Sequence, residues 1–243
     1  ALADSGLYRL DGTAWKKLGD GGFIDLCAHL DAVHAATSDT IYRIDGDSLT
    51  PVEHGKSNRA IQAIAAYSGS LYCLHPGALS VLDPAVELGF DRDNLWDWGT
   101  DFSRTTRDLL AMGSRLYIAT DRGLALLRGM SLTSIRGVDG LPYEDATCLR
   151  EGFDGDLWVG TTRGAIRYTN GEYHYFNADR WLPNEKVNDI AIGKTTVYIA
   201  TDGGIGIIRY EPFTLLKKAD YFERHLDEWG QKRLGFTHKL EWN

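Results

Sequence analysis

The stretch "LWVGTTRGAIRY", Leu157–Tyr168, is written twice more in the same chain, as "LYIATDRGLALL", Leu116–Leu127, and as "VYIATDGGIGII", Val197–Ile208. Thr120, Thr161 and Thr201 mark the same place in each copy and stand 41 and 40 residues apart. A short apolar run rich in β-formers lies on either side of the mark. Between the runs sits a tight turn ending in glycine: Asp121-Arg122-Gly123, Thr162-Arg163-Gly164 and Asp202-Gly203-Gly204. Glycine accepts positive φ there without a Cβ penalty, and Thr or Asp side chains bond nearby backbone N–H groups. Each phrase therefore predicts a β-hairpin.

Weaker copies lie upstream. "VHAATSDTIYRI" puts Thr37 on the mark, and "LYCLHPGALSVL" puts Leu74 there, or His75 if its turn is one residue shorter. "ALADSGLYRL" reads as a copy that begins partway through, with Ala3 on the mark. A strand-like run precedes each full copy ("FIDLCAHL", "IQAIAAY", "TRDLLAM", "ATCLREG", "VNDIAIG"), and another follows ("SLTSIR", "EYHYFN", "PFTLLKK"). The unit is thus four strands in roughly 40 residues.

The side chains narrow the architecture. Small residues, Ala36, Cys73, Ala119, Gly160 and Ala200, stand one before the mark, and Tyr117, Trp158 and Tyr198 stand three before it on the same strand face. The other face carries Ile118, Val159 and Ile199. Sheets apolar on both faces, thin at one end and thick at the other, are wedges. Wedges repeating at this period around an axis form an all-β propeller of four-stranded blades; a solenoid of hairpins is the competing arrangement. The count is five full blades, near 23–54, 60–100, 105–137, 145–178 and 186–218, plus a partial blade over 1–18, six when completed. An open ring exposes sheet edges and apolar faces. The missing strands are therefore expected from the remainder of the polypeptide or from a partner chain.

The 243 residues are 43% hydrophobic and 25% charged, which suits a folded domain, and the net charge of −8 argues against a nucleic-acid groove or an anionic membrane surface. No apolar run nears the ~20 residues of a membrane helix, so no membrane insertion is expected. The opening residues carry neither a basic segment nor an apolar core of a signal peptide, and a removed signal would leave the same trace. Cys27, Cys73 and Cys148 are odd in number, widely spaced and set in strand-like runs, so they read as small buried hydrophobes. No cofactor is expected.

Residues Gly140, Leu141, Pro142, Asp154, Gly155, Leu157, Trp158, Val159, Gly160, Thr161, Gly164, Ile166, Arg167 and Tyr168 resemble the two-component regulator propeller repeat, with its Gly-Leu-Pro lead-in, Asp-Gly turn and Leu-Trp-Val-Gly-Thr strand. "WLPNEKVNDIAI" with "VYIATDGGIGIIRY" is a second good copy; the likeness is clear over 105–216 and faint over 20–100. The resemblance implies a propeller. It also implies extracytoplasmic sensing in bacteria, often of carbohydrate, or a supporting domain beside a carbohydrate-active enzyme. A periplasmic or extracellular location is expected, with the cytoplasm still open.

The propeller is expected over 1–216 and a helical tail or linker over 217–243. There Leu215, Ala219, Phe222, Leu226 and Trp229 form one helix stripe, and Gly230 is placed to stop it. This tail departs from the sensor pattern, which continues into a β-sandwich, and resembles linkers of large bacterial polysaccharide-processing proteins.

In a propeller the loop within the phrase and the loop between blades open on one face. The longest insertion there, Val86–Asp108, carries Trp96 and Trp98, which suit stacking on sugar rings; packed indoles on an outer strand explain them as well, since residues two apart share a face. The inter-blade loops add Tyr143, Glu144, Asp145, Arg180, Trp181 and Asn188, and strand starts add Gln62, Arg107 and Asp108. Together these make a polar funnel with aromatic walls for an oligo- or polysaccharide, or else solvated loops. Cys27, His29 and His34 are a candidate zinc trio if His29 and His34 face each other across a hairpin, but a fourth ligand is lacking and the turn points away from the mouth. "FDGDLW" has two acids around a glycine and reads as a hairpin turn before it reads as a calcium loop. His75, beside Pro76-Gly77, is the best-placed imidazole for abstracting a proton next to a uronate carboxylate, against the plainer reading of a turn histidine in water. The expected function is a ligand-binding or scaffold propeller, carbohydrate-related and part of a larger protein. The alternative is the propeller portion of a polysaccharide lyase or glycoside hydrolase.

Overall fold

The repeated phrases are hairpins, and each sits inside a small antiparallel sheet. A computed structural model describes residues 1–52, 59–82, 86–89, 105–129, 131–177, 180–210 and 214–229. Blade 1 is β1 (Leu2–Ala3), β2 (Gly6–Asp11) and β3 (Ala14–Asp20); blade 2 is β4 (Phe23–His29), β5 (Ala32–Thr37), β6 (Ile41–Asp45) and β7 (Ser48–Val52). Blade 3 comprises β8 (Ala63–Tyr67), β9 (Ser70–His75), β10 (Ala78–Val81) and β11 (Val86–Gly89). Blade 4 comprises β12 (Thr106–Met112), β13 (Arg115–Thr120), β14 (Gly123–Arg128) and β15 (Ser131–Ile135). Blade 5 has β16 (Ala146–Glu151), β17 (Leu157–Thr161), β18 (Gly164–Thr169) and β19 (Glu172–Phe176), and blade 6 has β20 (Val187–Ile192), β21 (Thr196–Thr201) and β22 (Gly204–Arg209). The first strands β4, β8, β12, β16 and β20 pack against one another in that order, which is the inner row of a propeller.

The six sheets agree with the expected total of six blades, and the number of full blades differs. Four blades are complete and two have three strands among the described residues. Pro212 and Phe213 lie outside the described residues, and the expected fourth-strand run of blade 6 is helical from Leu215 on, in α1 (Leu215–Trp229). Thr214 starts it: its hydroxyl oxygen accepts the Lys217 N–H at 3.3 Å, an N-cap bond that satisfies one of the free donors of the first turn. The chain forms two compact units, Ala1–Ile208 and Arg209–Asn243.

The mark threonines explain why the turns repeat. Thr120, Thr161 and Thr201 are buried, and each hydroxyl donates to the carbonyl of the glycine three residues on, at 2.7, 2.6 and 2.8 Å. Each hydroxyl oxygen also accepts a turn N–H, from Arg122, Arg163 and Gly203. In blade 3, His75 pairs with Ala78 as Thr120 pairs with Gly123, so His75 holds the mark and its turn has the ordinary length. Leu74, rather than Cys73, then stands in the small-residue place.

Wedge packing is visible at Gly160, where a Cβ would lie 2.5 Å from Cys148 Sγ and 2.7 Å from Val187 Cγ1 of the next blade. Ile118 and Leu116 pack toward blade 3 with Leu74, Leu79 and Tyr67. Tyr117 and Leu124 pack toward blade 5 with Leu149, Leu157 and Val159. Alternate faces of one strand thus serve two neighbours.

Two seams are further tied by aspartates at bulges of the inner strands. Asp25 Oδ1 accepts the N–H of Leu26, and its Oδ2 accepts that of Ile64 in blade 3, both at 2.8 Å. Asp108 does the same between Leu109 and Leu149 of blade 5, at 2.9 and 2.8 Å, and also holds Arg150. Burial pushes both carboxyl pKa values above the usual range, against the pull of these donors.

Gly164 adopts φ +111°, and a Cβ there would meet the Phe176 carbonyl oxygen of β19 at 2.4 Å. Gly164→Ala is expected to lower unfolding free energy by roughly 2–4 kcal/mol. Gly171→Ala, at φ +86° with open space around it, should lose only about 1 kcal/mol. Urea denaturation of the two variants checks the difference; equal losses would contradict the close-approach account.

Candidate functional site

The turn within a phrase and the lead-in to the next blade meet on one face, and there they enclose a cleft of about 330 Å³ between blades 4 and 5. Its lining is Asp121 from the blade 4 turn, Thr162 and Arg163 from the blade 5 turn, and Pro142, Tyr143, Glu144 and Asp145 from the lead-in. Backbone bonds clamp this lead-in from both sides. The Glu144 carbonyl accepts the Gly123 N–H at 2.6 Å, and the Asp145 carbonyl accepts the Thr162 N–H at 3.2 Å.

Side chains are held as firmly. Arg107 Nη1 donates to Asp145 Oδ1 at 2.5 Å and to the Ala146 carbonyl at 2.8 Å. Glu144 Oε1 accepts the Gly137 N–H at 2.6 Å, so the carboxylate has one oxygen engaged by backbone. Tyr143 packs edge-on against Tyr175, with ring centroids 6.5 Å apart. The cleft is therefore an aromatic wall, three carboxylates, one guanidinium and a hydroxyl. It offers hydrogen-bond acceptors in excess, with one cation at its rim.

Of the residues singled out from sequence, Tyr143, Glu144 and Asp145 line this cleft, and Arg107 reaches it through Asp145. The others lie elsewhere. Gln62 Oε1 and the His75 carbonyl, the latter at 2.9 Å, share the single proton of the buried Thr106 hydroxyl. Asp108 is a seam residue, its side chain 18% exposed. Trp181 packs on Phe176 of the outer strand β19 at 5.5 Å, with the Arg180 guanidinium 5.3 Å from its ring centre. Asn188 donates to Asp202 at 2.8 Å beside Lys186, a polar cluster on the blade 6 turn. Trp96 and Trp98 fall outside the described residues. Asp121, Thr162 and Arg163 escaped the sequence reading, although their turn position just after the mark put them on the mouth face.

His75 is not in the mouth. It is fully buried, with Nδ1 3.1 Å from the Ala60 carbonyl and Nε2 2.8 Å from Ser80 Oγ. This suits a neutral ring that donates from Nδ1 and accepts the Ser80 hydroxyl at Nε2. Both nitrogens are committed, so His75 is a structural residue and the proton-abstraction idea loses its base.

The zinc trio also fails. His29 pairs with Ala32 around a Leu30-Asp31 turn, and Cys27, not His29, faces His34 across the hairpin. The two imidazole rings are 5.9 Å apart, and His29 Nε2 lies 3.1 Å from the Gly69 carbonyl. Among the described residues no three His, Cys, Asp or Glu side chains are placed to hold a metal. In "FDGDLW" Gly155 makes the turn at φ +71°, and the buried Asp156 pairs with Arg167 at 2.5 Å. The three cysteines are free; burial pushes the Cys73 and Cys148 thiols up to about 12, which makes them poor nucleophiles at neutral pH.

No protein-family model matches the chain, and no curated protein does. Solved structures do. The extracellular domain of the hybrid two-component system BT4673 from B. thetaiotaomicron superimposes with TM-score 0.63 at 16% identity, covering 86% of this chain and 31% of that one. Virginiamycin B lyase from Staphylococcus aureus gives TM-score 0.61 at 12% identity, covering 86% of this chain and 74% of that one. PorZ, a bacterial surface component of the type-IX secretion system of Porphyromonas gingivalis, gives 0.54 at 16%, covering 77% and 27%. The chain thus spans about a third of the length of the sensor domain it matches. The shared fold is a β-propeller, in line with the two-component regulator propeller repeat that residues 140–168 resemble. No helix among the described residues is long and apolar enough to cross a membrane.

His34 supplies a pH test. Its imidazole is buried and its Nδ1 has no hydrogen-bond partner. Burial, then the neighbouring His29 and Arg43, lowers its pKa from 6.5 against the opposing pull of Asp45. The unfolded state therefore binds its proton first. Stability conferred by neutral His34 is complete above pH ~6.5 and is lost as pH falls through the lower folded value, with a slope of at most about 1.4 kcal/mol per pH unit. Urea unfolding between pH 7.5 and 5 should show this loss in the wild type and a flatter profile in His34→Gln. Parallel profiles would contradict it.

Proposed function

We propose that this chain is the ligand-binding part of an extracytoplasmic propeller, and that the cleft at Tyr143 takes a small polyhydroxylated ligand, a sugar unit of an oligo- or polysaccharide. The observation that carries this reading is the composition of the cleft. A ring face from Tyr143 suits the apolar face of a sugar, while Asp121, Glu144 and Asp145 accept from its hydroxyls and Arg163 donates. The volume of about 330 Å³ suits one or two sugar rings rather than a long buried chain. Likeness to extracellular sensor domains supports a location outside the cytoplasm and a binding role.

A lyase has the same fold among the structural neighbours, which keeps enzymatic turnover in view. In this chain the imidazole nominated for that chemistry is buried and bonded at both nitrogens, which favours binding over catalysis.

Titration calorimetry against neutral and acidic oligosaccharides, following a glycan array, tests the reading. Binding in the micromolar to millimolar range is expected, weakened about ten-fold by Tyr143→Ala and by Glu144→Gln, some 1.4 kcal/mol each. Gln keeps an acceptor for the Gly137 N–H, so its effect reports on the ligand. Absence of any bound glycan, or unsaturated or reducing products accumulating in the same incubations, would overturn the binding role.

A further inference from the structure

Blade 6 repeats blade 4 position for position. Thr201 stands where Thr120 does and Gly204 where Gly123 does, so Asp189, Tyr198, Ile205 and Ile207 occupy the places of Asp108, Tyr117, Leu124 and Leu126. In blade 4 that face is covered: Tyr117 and Leu124 are each 2% exposed beneath blade 5. In blade 6 the same face is bare, with Tyr198 43%, Ile205 62% and Ile207 52% exposed.

The polar half of the seam is bare as well. Asp25 and Asp108, on blades 2 and 4, each use Oδ1 for the next N–H of their own strand and Oδ2 for an inner-strand N–H of the following blade. Asp189, on blade 6, has the first half of this pattern: its Oδ1 accepts the Ile190 N–H at 2.8 Å and meets Arg150 at 2.5 Å. Among the described residues its Oδ2 accepts no hydrogen bond. Every second blade carries such an aspartate, and the third copy points its second oxygen where the next inner strand would run.

We propose that this face of blade 6 is a docking surface for one further β-blade, a four-stranded antiparallel sheet seated as blade 5 sits on blade 4. Its inner strand gives a backbone N–H to Asp189 Oδ2, and its apolar face covers Tyr198, Ile205 and Ile207. A second copy of this chain does not meet the requirement through its own free end. Blade 1 exposes Leu10 and Trp15 but has no inner strand among the described residues, so it could cover apolar surface without satisfying Asp189. An oligosaccharide or a helix fails for the same reason, since neither presents a strand N–H between flat apolar rows.

The chain's own repeat provides the probe. Arg209 stands in the place of Arg128, so a copy of residues 129–177 inserted between Arg209 and Tyr210 supplies a fourth strand for blade 6 and a complete blade after it. The extended chain should melt about 5 °C or more above the native chain in one transition and lose most of its bis-ANS binding. Asp189→Ala should remove most of that rise in the extended chain yet shift the native chain by under about 2 °C, because its pair with Arg150 is exposed. An unchanged melting temperature, a separate transition for the added blade, or equal effects of Asp189→Ala in both chains would overturn the proposal. If the extended chain does not fold, the native chain still decides. A monomer by sedimentation whose bis-ANS binding falls in Ile207→Glu supports the free face. A dimer dissociated by Ile207→Glu, or a monomer that binds no bis-ANS, refutes it.

Discussion

One hydrogen bond ties the repeat to the site: the N–H of the turn glycine given to the carbonyl of the following lead-in. Gly123 gives it to Glu144 at 2.6 Å and Gly164 gives it to Glu185 at 2.7 Å. The buried threonine beside each turn already holds the glycine carbonyl, so the glycine's two polar groups are both assigned and the turn has little freedom left. A lead-in fastened to such a turn cannot move as a free loop. It becomes the floor of the cleft, and its side chains inherit the precision of the strands.

The same bond also sets the seam. Once the lead-in is fixed, the inner strand after it enters beside the previous blade, and the apolar faces of neighbouring blades meet. Gly160 marks the limit of that approach, where even a methyl group would collide with Cys148 and Val187. Aspartates at the bulges of blades 2 and 4 add polar pegs to an otherwise apolar joint. Their acceptors face backbone donors that would be left unpaired in a dry seam, and this offsets the burial that pushes their pKa values up. Arg107 is the polar link between seam and cleft, because its guanidinium spans from the inner strand of blade 4 to Asp145.

The architecture was legible in the sequence because glycine and threonine carry it. A buried hydroxyl three residues before a positive-φ glycine leaves the same trace in blades 4, 5 and 6. Blade 3 misled because His75 replaces the threonine and Ala78 the glycine, so the small-residue rule slipped by one position from Leu74 to Cys73. The tail misled because "PFTLLKK" has the β-formers of a fourth strand, while the stripe from Leu215 onward and the Thr214 cap belong to a helix. Of the site, the lead-in residues Tyr143, Glu144 and Asp145 were readable from loop position alone. Arg180 and Trp181 shared that position, but Phe176 on the outer strand draws the indole away, and a contact between residues of different strands leaves no periodic signal. His75 looked catalytic by its neighbours Pro76 and Gly77; its partners Ala60 and Ser80 could be known only from the fold.

Amide hydrogen exchange by NMR at Gly123, Gly164 and Thr162 measures the central clamp most directly. All three N–H groups lie in surface turns by sequence, yet each is given to a lead-in carbonyl or strand start. Protection comparable to that of interior strand amides such as Val159 and Ile166 is the predicted result. Exchange at the rate of an open loop would contradict it, and with it the claim that the cleft floor is built by the repeat.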